Sequence, residues 1–327
     1  MSTAAAPTAT PPLSRSVGSD AIDAEVAQII RDLDGDPPAI SPKYFYDERG
    51  SRLFDDICRT PEYYPTRTED SIMRRDAGAM ASMLPRDVVL IELGSGSSQK
   101  TRHLLRRLPV GATYVPFDIS GPHLLRSAQS LRGEFPRLDV RPLVGDFTLS
   151  IDVGSLGDDV DGRPVAFYFP GSTIGNFEPA AARTLLTNLA GTPAVAGLLI
   201  GYDRVKSESR LVAAYDDVGG VTAAFNRNVL THLNRRFGFD FDVSAFEHEA
   251  VYDPLHRRIE MRLVAGRATT LGHPMLPPIE RGEHIRTEFS HKYTPTSMGE
   301  LLRRGGWRST RRWTAGDDFD VAWCVPE

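Results

Sequence analysis

VVLIELGSGSSQK, residues 88–100, decides the fold. Val88 to Ile91 is an apolar run of the kind that forms a buried parallel strand. Glu92 closes it, and Gly94-Ser95-Gly96-Ser97 follow as a glycine-rich turn. Lys100 to Leu105 then has helical character. Strand, turn and helix in this order make a cradle of the nucleotide-binding type. Glycine lets the backbone approach a ligand closely, and the turn N–H groups point at it. Taken alone, the stretch serves equally well as a tight strand-to-helix turn.

Outward from it, strands and helices alternate. The pattern predicts strands at 88–93, 113–120, 138–147, 164–169 and 196–203, with helices at 99–108, 121–133 and 179–190. Repeated βα units imply a parallel sheet that binds ligands outside the carboxyl ends of its strands. The glycine turn, Asp118, Asp146-Phe147 and the loop PGSTIGNF (170–177) all fall at such ends. Upstream, Ile22, Val26, Ile29 and Ile30 share one face of a helix over 20–33. Residues 43–69 crowd tyrosines and charges into loop and short helix, and a helix from Glu69 to about Met83 leads into the first strand. Tyr46, Tyr63 and Tyr64 lie beside prolines and charges, where tyrosines give rigid apolar walls with polar tips. Past Asp203 the rhythm breaks. A helical stretch at 207–236, interrupted at Gly219-Gly220, precedes strands at 246–253, 257–266 and 284–293. This block reads as an insertion forming a lid or second lobe. A helix at 294–306 and a strand pair within 307–325 close the chain.

The bulk composition narrows the function classes. The chain has 327 residues, 41% hydrophobic and 25% charged, with a net charge of −5. That balance fits an ordinary globular enzyme and argues against a phosphate-backbone reader, so no nucleic-acid partner is expected. The cluster Arg303, Arg304, Arg308, Arg311 and Arg312 reads as solvated surface. Two cysteines in unrelated segments, Cys58 and Cys324, exclude a disulfide framework and fit a reducing cytoplasm. No apolar run reaches the roughly 18 residues of a membrane span, so no membrane association is expected. The Ala/Pro/Thr/Ser-rich residues 1–18 lack the features of a secretory signal and are expected to be disordered.

The strand ends narrow the ligand. A dinucleotide fingerprint needs a third glycine that is absent here, and the P-loop spacing is absent too. The E-L-G-S-G pattern resembles the first motif of Rossmann-like S-adenosylmethionine methyltransferases. Asp118, as an acceptor-only group, suits two ribose hydroxyls. Asp146 suits an exocyclic amine, and Phe147 suits stacking on adenine. Each aspartate alone reads equally as a helix N-cap; the three signals in register favour a cofactor.

Longer segments carry a wider resemblance: FYDERGSRLFD (45–55), PEYYPTRTE (61–69), ELGSGSSQKTRHLL (92–105), PFDIS (116–120), GDF (145–147), GSTIGNF (171–177), RLVAAYDDVGGVTAAFNRNVL (210–230), RRIEM (257–261) and TEFSHKY (287–293). Over residues 40 to 325 the chain resembles the L-histidine Nα-methyltransferases of ergothioneine biosynthesis. The resemblance implies an α/β fold: a Rossmann-like class I S-adenosylmethionine methyltransferase sheet with a second, smaller α+β substrate-binding domain. It places the substrate domain at 19–67 plus 206–293 and the methyltransferase domain at 68–205 plus 294–327. It implies that Tyr46, Gly94, Lys100, Asp118, Asp146 and Phe147 contact S-adenosylmethionine, with Tyr46 at the amino-acid end. Tyr63, Asn176, Tyr215, Glu288 and Ser290 would contact L-histidine. Gly171 and Thr173 would line the space between the two ligands, and Met261 would pack near the imidazole. The family's Asn and Tyr hold the α-carboxylate and amine, and its Glu and Ser read the imidazole edge. The implied reaction is Nα-trimethylation to hercynine by a monomer that needs no metal.

The residues agree with this reading. Glu288 and Ser290, two apart on a strand, share a face, and imidazole offers two nitrogens to meet them. Read without the resemblance, they are better taken as solvent-facing residues of an edge strand. No base is certain; Tyr46 or a water is the candidate, and the faces of Tyr63 or Phe147 would attract a growing cation. The turn reads G-S-S-Q-K where relatives often carry G-T-S-E-K, with Lys100 kept. Two alternatives stay open: a methyltransferase of this fold acting on another amino acid such as tryptophan, and a non-catalytic S-adenosylmethionine-binding protein. A nucleic-acid methyltransferase is disfavoured, since the loop after the fourth strand lacks an N-P-P-Y type motif.

Overall fold

Every residue of strand β1 (Val89–Leu93) is buried, as the apolar run requires. In this computed structural model, which describes residues 19–149, 151 and 153–327, β1 lies inside a large sheet. The expected disorder of residues 1–18 lies outside the described residues. In chain order the helices are α1 (Ser19–Leu33), α2 (Glu48–Ile57), α3 (Tyr64–Ala81), α4 (Arg102–Leu105), α5 (Gly121–Glu134), α6 (Pro179–Ala190), α7 (Glu208–Tyr215), α8 (Val221–Phe237) and α9 (Pro295–Arg304). The other strands are β2 (Thr113–Asp118), β3 (Asp139–Val140), β4 (Leu143–Val144), β5 (Val165–Phe169), β6 (Val195–Asp203), β7 (Phe246–Asp253), β8 (Arg258–Ala265), β9 (Thr269–Thr270), β10 (Pro278–Ile279), β11 (His284–His291), β12 (Trp307–Ala315) and β13 (Phe319–Pro326).

The large sheet runs β12-β13-β6-β5-β1-β2-β3, and β4 also pairs β2. From β6 to β3 the pairs are parallel, while β13 and β12 enter antiparallel. The chain order reverses between β5 and β1, so the loops after those two strands open a crevice at the carboxyl edge. A separate antiparallel sheet, β11-β8-β7, packs elsewhere. This is the expected α/β architecture with a smaller α+β unit. Two apolar clusters flank the large sheet, one through Phe167 and Trp307, the other through Tyr114 and Trp323. A third core joins Ile29–Tyr64 to Leu211–Ile285, two stretches far apart in the chain.

Several boundaries differ from expectation for local reasons. The strand expected over 138–147 is two short pieces, because Pro142 lacks an N–H for the ladder. The helix expected over 99–108 shrinks to Arg102–Leu105. Gly96 (φ 49°) and Ser98 (φ 50°) keep the preceding chain in left-handed turns. Helix α3 starts at Tyr64 rather than Glu69, with Pro65 in its first turn, where a missing N–H costs nothing. The helical stretch over 207–236 breaks around Gly219-Gly220 as expected, into α7 and α8. Asp217 ends the break by accepting from Val221 N (3.0 Å) and Thr222 N (2.7 Å) at the start of α8.

Candidate active site

The glycine turn is built from its own backbone outward. Gly94 (φ 68°) and Gly96 (φ 49°) occupy left-handed conformations that favour glycine. Gly94 N donates to Phe117 O at 2.8 Å. Asp118 Oδ2 accepts from Gly96 N and Oδ1 from Ser120 N, both at 2.9 Å. Asp118 thus fastens the turn after β1 to the end of β2 and keeps free lone pairs. A Cβ on Gly94 would lie 3.6 Å from the Phe147 ring, which sits edge-on to Phe117, Phe169 and Phe177. Asp146 is shaped by its own loop: Oδ1 accepts from Thr148 N (2.9 Å), and Lys43 Nζ lies 3.9 Å from Oδ2. Neither aspartate caps a helix. Ser95 Oγ is buried without a hydrogen-bond partner among the described residues.

Lys100 is tied to a residue the sequence reading did not single out. Its ammonium pairs with the fully buried Glu69 of α3, and Glu69 Oε2 also accepts from Gly171 N at 2.9 Å. Burial works against the Lys100 charge, but the Glu69 carboxylate holds its pKa above the ordinary lysine range. One carboxylate therefore joins the turn after β1 to the loop after β5.

That second loop faces a pocket. Tyr46, Tyr63, Gly171, Thr173, Asn176, Tyr215, Met261, Glu288 and Ser290 all line it. Of the expected site residues, Gly94, Lys100, Asp118, Asp146 and Phe147 lie outside that lining, on the crevice side. Of the two rings offered for a cation, Tyr63 alone is at the pocket. Phe54, Ile57, Ala214, Thr222 and Phe225 line it too and were missed. Phe54 and Phe225 complete an aromatic wall: Tyr46 meets both rings at 5.9 Å, and Tyr63 meets Tyr215 at 6.0 Å. Their signal was present as FYDERGSRLFD and TAAFN, but helix-borne aromatics read first as core.

Glu288 and Ser290, the residues expected to read the substrate ring, sit on β11. A bulge between Arg286 and Glu288 resets the register, so Glu288 faces Met261 and Ser290 faces Ile259 across to β8. Thr287, at the bulge, is locked by bonds to Asn226 Oδ1 (2.7 Å) and Met261 O (3.0 Å). Glu288 is only 9% exposed, and no hydrogen bond reaches its carboxyl among the described residues. Burial pushes its pKa up to about 8, against the pull of the Lys292 ammonium. Ser290 Oγ lies 2.7 Å from Tyr215 Oη. Burial also raises Tyr46, Tyr63 and Tyr215 above the usual phenol range. These phenols stay protonated near neutral pH and act as hydrogen-bonding groups, which leaves Tyr46 without the phenolate a strong base needs.

Gly175 shows how closely the loop meets β11. A Cβ there would lie 2.7 Å from His291 O and 3.1 Å from His291 N. Gly175→Ala should push the turn at 173–176 away and lower stability by about 1–3 kcal/mol. Because Asn176 rides on this turn, the KM of whatever substrate the pocket takes should rise about tenfold, one hydrogen bond's worth. An unchanged KM in steady-state assays would remove Asn176 from the pocket's working residues.

The arrangement, an acidic edge opposite an aromatic wall and next to a glycine-turn crevice, suits a small amino acid beside a nucleoside. Comparison with known proteins agrees. The sequence profile of the family described as "Histidine-specific methyltransferase, SAM-dependent" matches residues 25–326. The chain belongs to this family. Among relatives of this histidine-specific methyltransferase chain, the histidine N-alpha-methyltransferase of Mycobacterium tuberculosis (strain CDC 1551 / Oshkosh) is 42% identical over 290 residues, 86% of this chain and 88% of that one. Ergothioneine biosynthesis protein 1 of Neurospora crassa is 27% identical over 318 residues, 91% of this chain but 34% of the larger protein. The 4-dimethylallyltryptophan N-methyltransferase of Aspergillus fumigatus is 26% identical over 311 residues, covering 90% and 91%. No helix among the described residues is long and apolar enough to cross a membrane.

Proposed function

We propose that this chain methylates the α-amine of L-histidine three times, at the expense of S-adenosylmethionine, to give hercynine, the first step of ergothioneine biosynthesis. The observation that carries this reading is the pairing of an unpartnered, buried Glu288 with the Ser290–Tyr215 hydroxyl pair inside an aromatic pocket. An imidazole can meet both ends of such an edge; an indole, with one donor and no acceptor, cannot. The 42% identity to a histidine N-alpha-methyltransferase supports the same substrate. Free Cys58 and Cys324 support a cytoplasmic setting, and we propose that the chain acts as a monomer. The separate core of residues 29–64 with 211–285 supports a substrate domain of 19–67 plus 206–293 beside a methyltransferase domain of 68–205 plus 294–327.

The residues at the crevice fit S-adenosylmethionine: two left-handed glycines leave room for it, Asp118 keeps free lone pairs, and Ser95 Oγ lacks a partner among the described residues. Gly94, Lys100, Asp118, Asp146, Phe147 and Tyr46 would hold it. When bound, it supplies an electrophilic methyl group on a sulfonium. The protein's part is to position the amine and exclude competitors. In our reading Asn176 and Tyr63 orient the α-carboxylate and amine, while Glu288 and Ser290 take the ring. The amine must be unprotonated to react; with an ordinary value near ~8, it can release its proton to water, with a phenol such as Tyr46 accepting a hydrogen bond. The aromatic wall of Tyr46, Phe54, Tyr63 and Phe225 tolerates the growing cation and attracts it.

Mass spectrometry of products from histidine plus S-adenosylmethionine tests the assignment: a gain of three methyl groups is expected, and no gain on histidine rejects it. The Glu288 titration gives a second check. Its carboxylate, the form that accepts from a ring N–H, dominates only above about 8. The histidine KM should therefore fall as pH rises through that value. In Glu288→Gln this step should vanish, while the rise of kcat with amine deprotonation should remain. A step that persists in the Gln variant assigns the titration to another group.

A further inference from the structure

A buried charge cluster lies directly behind the imidazole edge. Lys292 follows β11 two residues after Ser290, in the Glu288, Ser290, Lys292 alternation, and its side chain is fully buried. It does not line the pocket. Its Nζ donates to Tyr215 Oη at 2.9 Å, to Ser290 Oγ at 2.8 Å and to Asp203 Oδ2 at 2.9 Å. An ammonium has three N–H donors and no acceptor, so these contacts use all three. Asp203, at the end of β6, is in turn held by Tyr64 Oη (2.6 Å) and Lys206 Nζ (2.5 Å).

Hydrogen counting then constrains the hydroxyl pair. Tyr215 Oη and Ser290 Oγ each accept from Lys292, and they lie 2.7 Å from one another. Together they own two hydroxyl hydrogens. One must lie between them, since two oxygens at that distance share a hydrogen bond. The other is left to point away, and both residues line the pocket. Without Lys292 each oxygen would regain a lone pair, and either hydroxyl could turn to accept from the ring instead.

We propose that Lys292, anchored by Asp203, is a positioning residue that sets the Tyr215–Ser290 pair to donate one O–H to the ring nitrogen carrying a lone pair. Glu288 takes the N–H at the other ring nitrogen, so the edge selects a ring with one donor and one acceptor nitrogen. The inference rests on the histidine reading above and deepens it. A donor left unpaired on binding the wrong ring discriminates more sharply than a shape misfit.

The experiment uses the full chain as wild type, Lys292→Met, Lys292→Gln, Ser290→Ala and the Lys292→Met/Ser290→Ala double variant. Each is assayed on histidine and on the two pyrrolylalanines, which keep one ring N–H but lack the second nitrogen. Met at 292 strands no charge, because Asp203 keeps Lys206 and Tyr64. Lys292→Met should lower the preference for histidine over the better pyrrolylalanine at least about tenfold. The change should fall on KM, with S-adenosylmethionine affinity unaltered. Gln retains two donors and should restore most of the preference. The double variant should lose no more than Ser290→Ala, since both act through one hydroxyl pair. An unchanged preference in Lys292→Met, additive losses, or failure of Gln to rescue overturns the proposal. Should Lys292→Met melt without a cooperative transition, Lys292→Gln against Ser290→Ala decides: retained preference in the first and loss in the second support it, and equal loss overturns it. If the wild type leaves histidine unmethylated, the functional reading falls and this inference with it. If the wild type methylates histidine and Lys292→Met matches it, the inference alone falls.

Discussion

Glu288→Ala is expected to raise the histidine KM about 100-fold, the cost of losing one charge-assisted hydrogen bond and its selectivity. S-adenosylmethionine affinity should stay the same, because Glu288 does not touch the glycine turn. The variant should also melt at the same temperature or higher. Glu288 is buried at 9% exposure with no hydrogen bond to its carboxyl among the described residues, and a buried polar group without a partner destabilises the fold that carries it. Such a group earns its place only when a ligand meets it. The pH dependence has a definite sign. The folded value is raised from 4.5 to about 8, so the protonated group's contribution is fully present below 4.5 and is lost as pH rises through about 8. Glu288→Ala should flatten that decline in melts between pH 4.5 and about 8. A lower melting temperature with unchanged KM would make Glu288 a structural residue and sink the imidazole assignment.

The second large effect is expected at Glu69. Glu69→Ala leaves the Lys100 ammonium unpaired and Gly171 N without its acceptor. Breaking a buried pair from one side costs about 3–5 kcal/mol, which for a chain of this size is about a 10 °C fall in melting temperature. Ligand binding should suffer at both ends, since Glu69 joins the loop bearing Thr173 and Asn176 to the turn bearing Gly94 and Gly96. Calorimetric titration should show both S-adenosylmethionine and histidine weakened, with Glu69→Gln intermediate because it still accepts from Gly171. Loss of stability with both affinities intact would reduce Glu69 to scaffold.

These two residues mark what was legible in the sequence. The parallel sheet was readable because its strands are short apolar runs separated by glycines and helical periods. The pocket residues on β11 were readable through an i, i+2 spacing and a family resemblance. Glu69 and Lys292 lie inside PEYYPTRTE and TEFSHKY, yet their roles are not legible there, because their partners, Gly171 and Asp203, are distant in the chain. A buried charge betrays itself only through the three-dimensional neighbour that neutralises it. Pairings such as Asn228 with Asp47 or His232 with Tyr44 O are invisible for the same reason. Where the reading overreached, at 99–108 and 138–147, one backbone feature each, a left-handed serine and a proline, overrode a reasonable periodicity.

The core that joins residues 29–64 to 211–285 also dictates an order of assembly. The N-terminal segment has no apolar partner until the ribosome has made α7 and α8, and β13 cannot slot between β6 and β12 until the C-terminus emerges. Loop closure over such separations is slow, so the nascent chain must carry exposed aromatics such as Phe45, Phe54 and Tyr63 for most of its synthesis. The pocket is thus among the last features to exist, and chains that end before residue 290 should be captured by chaperones rather than accumulate as a binding-competent half.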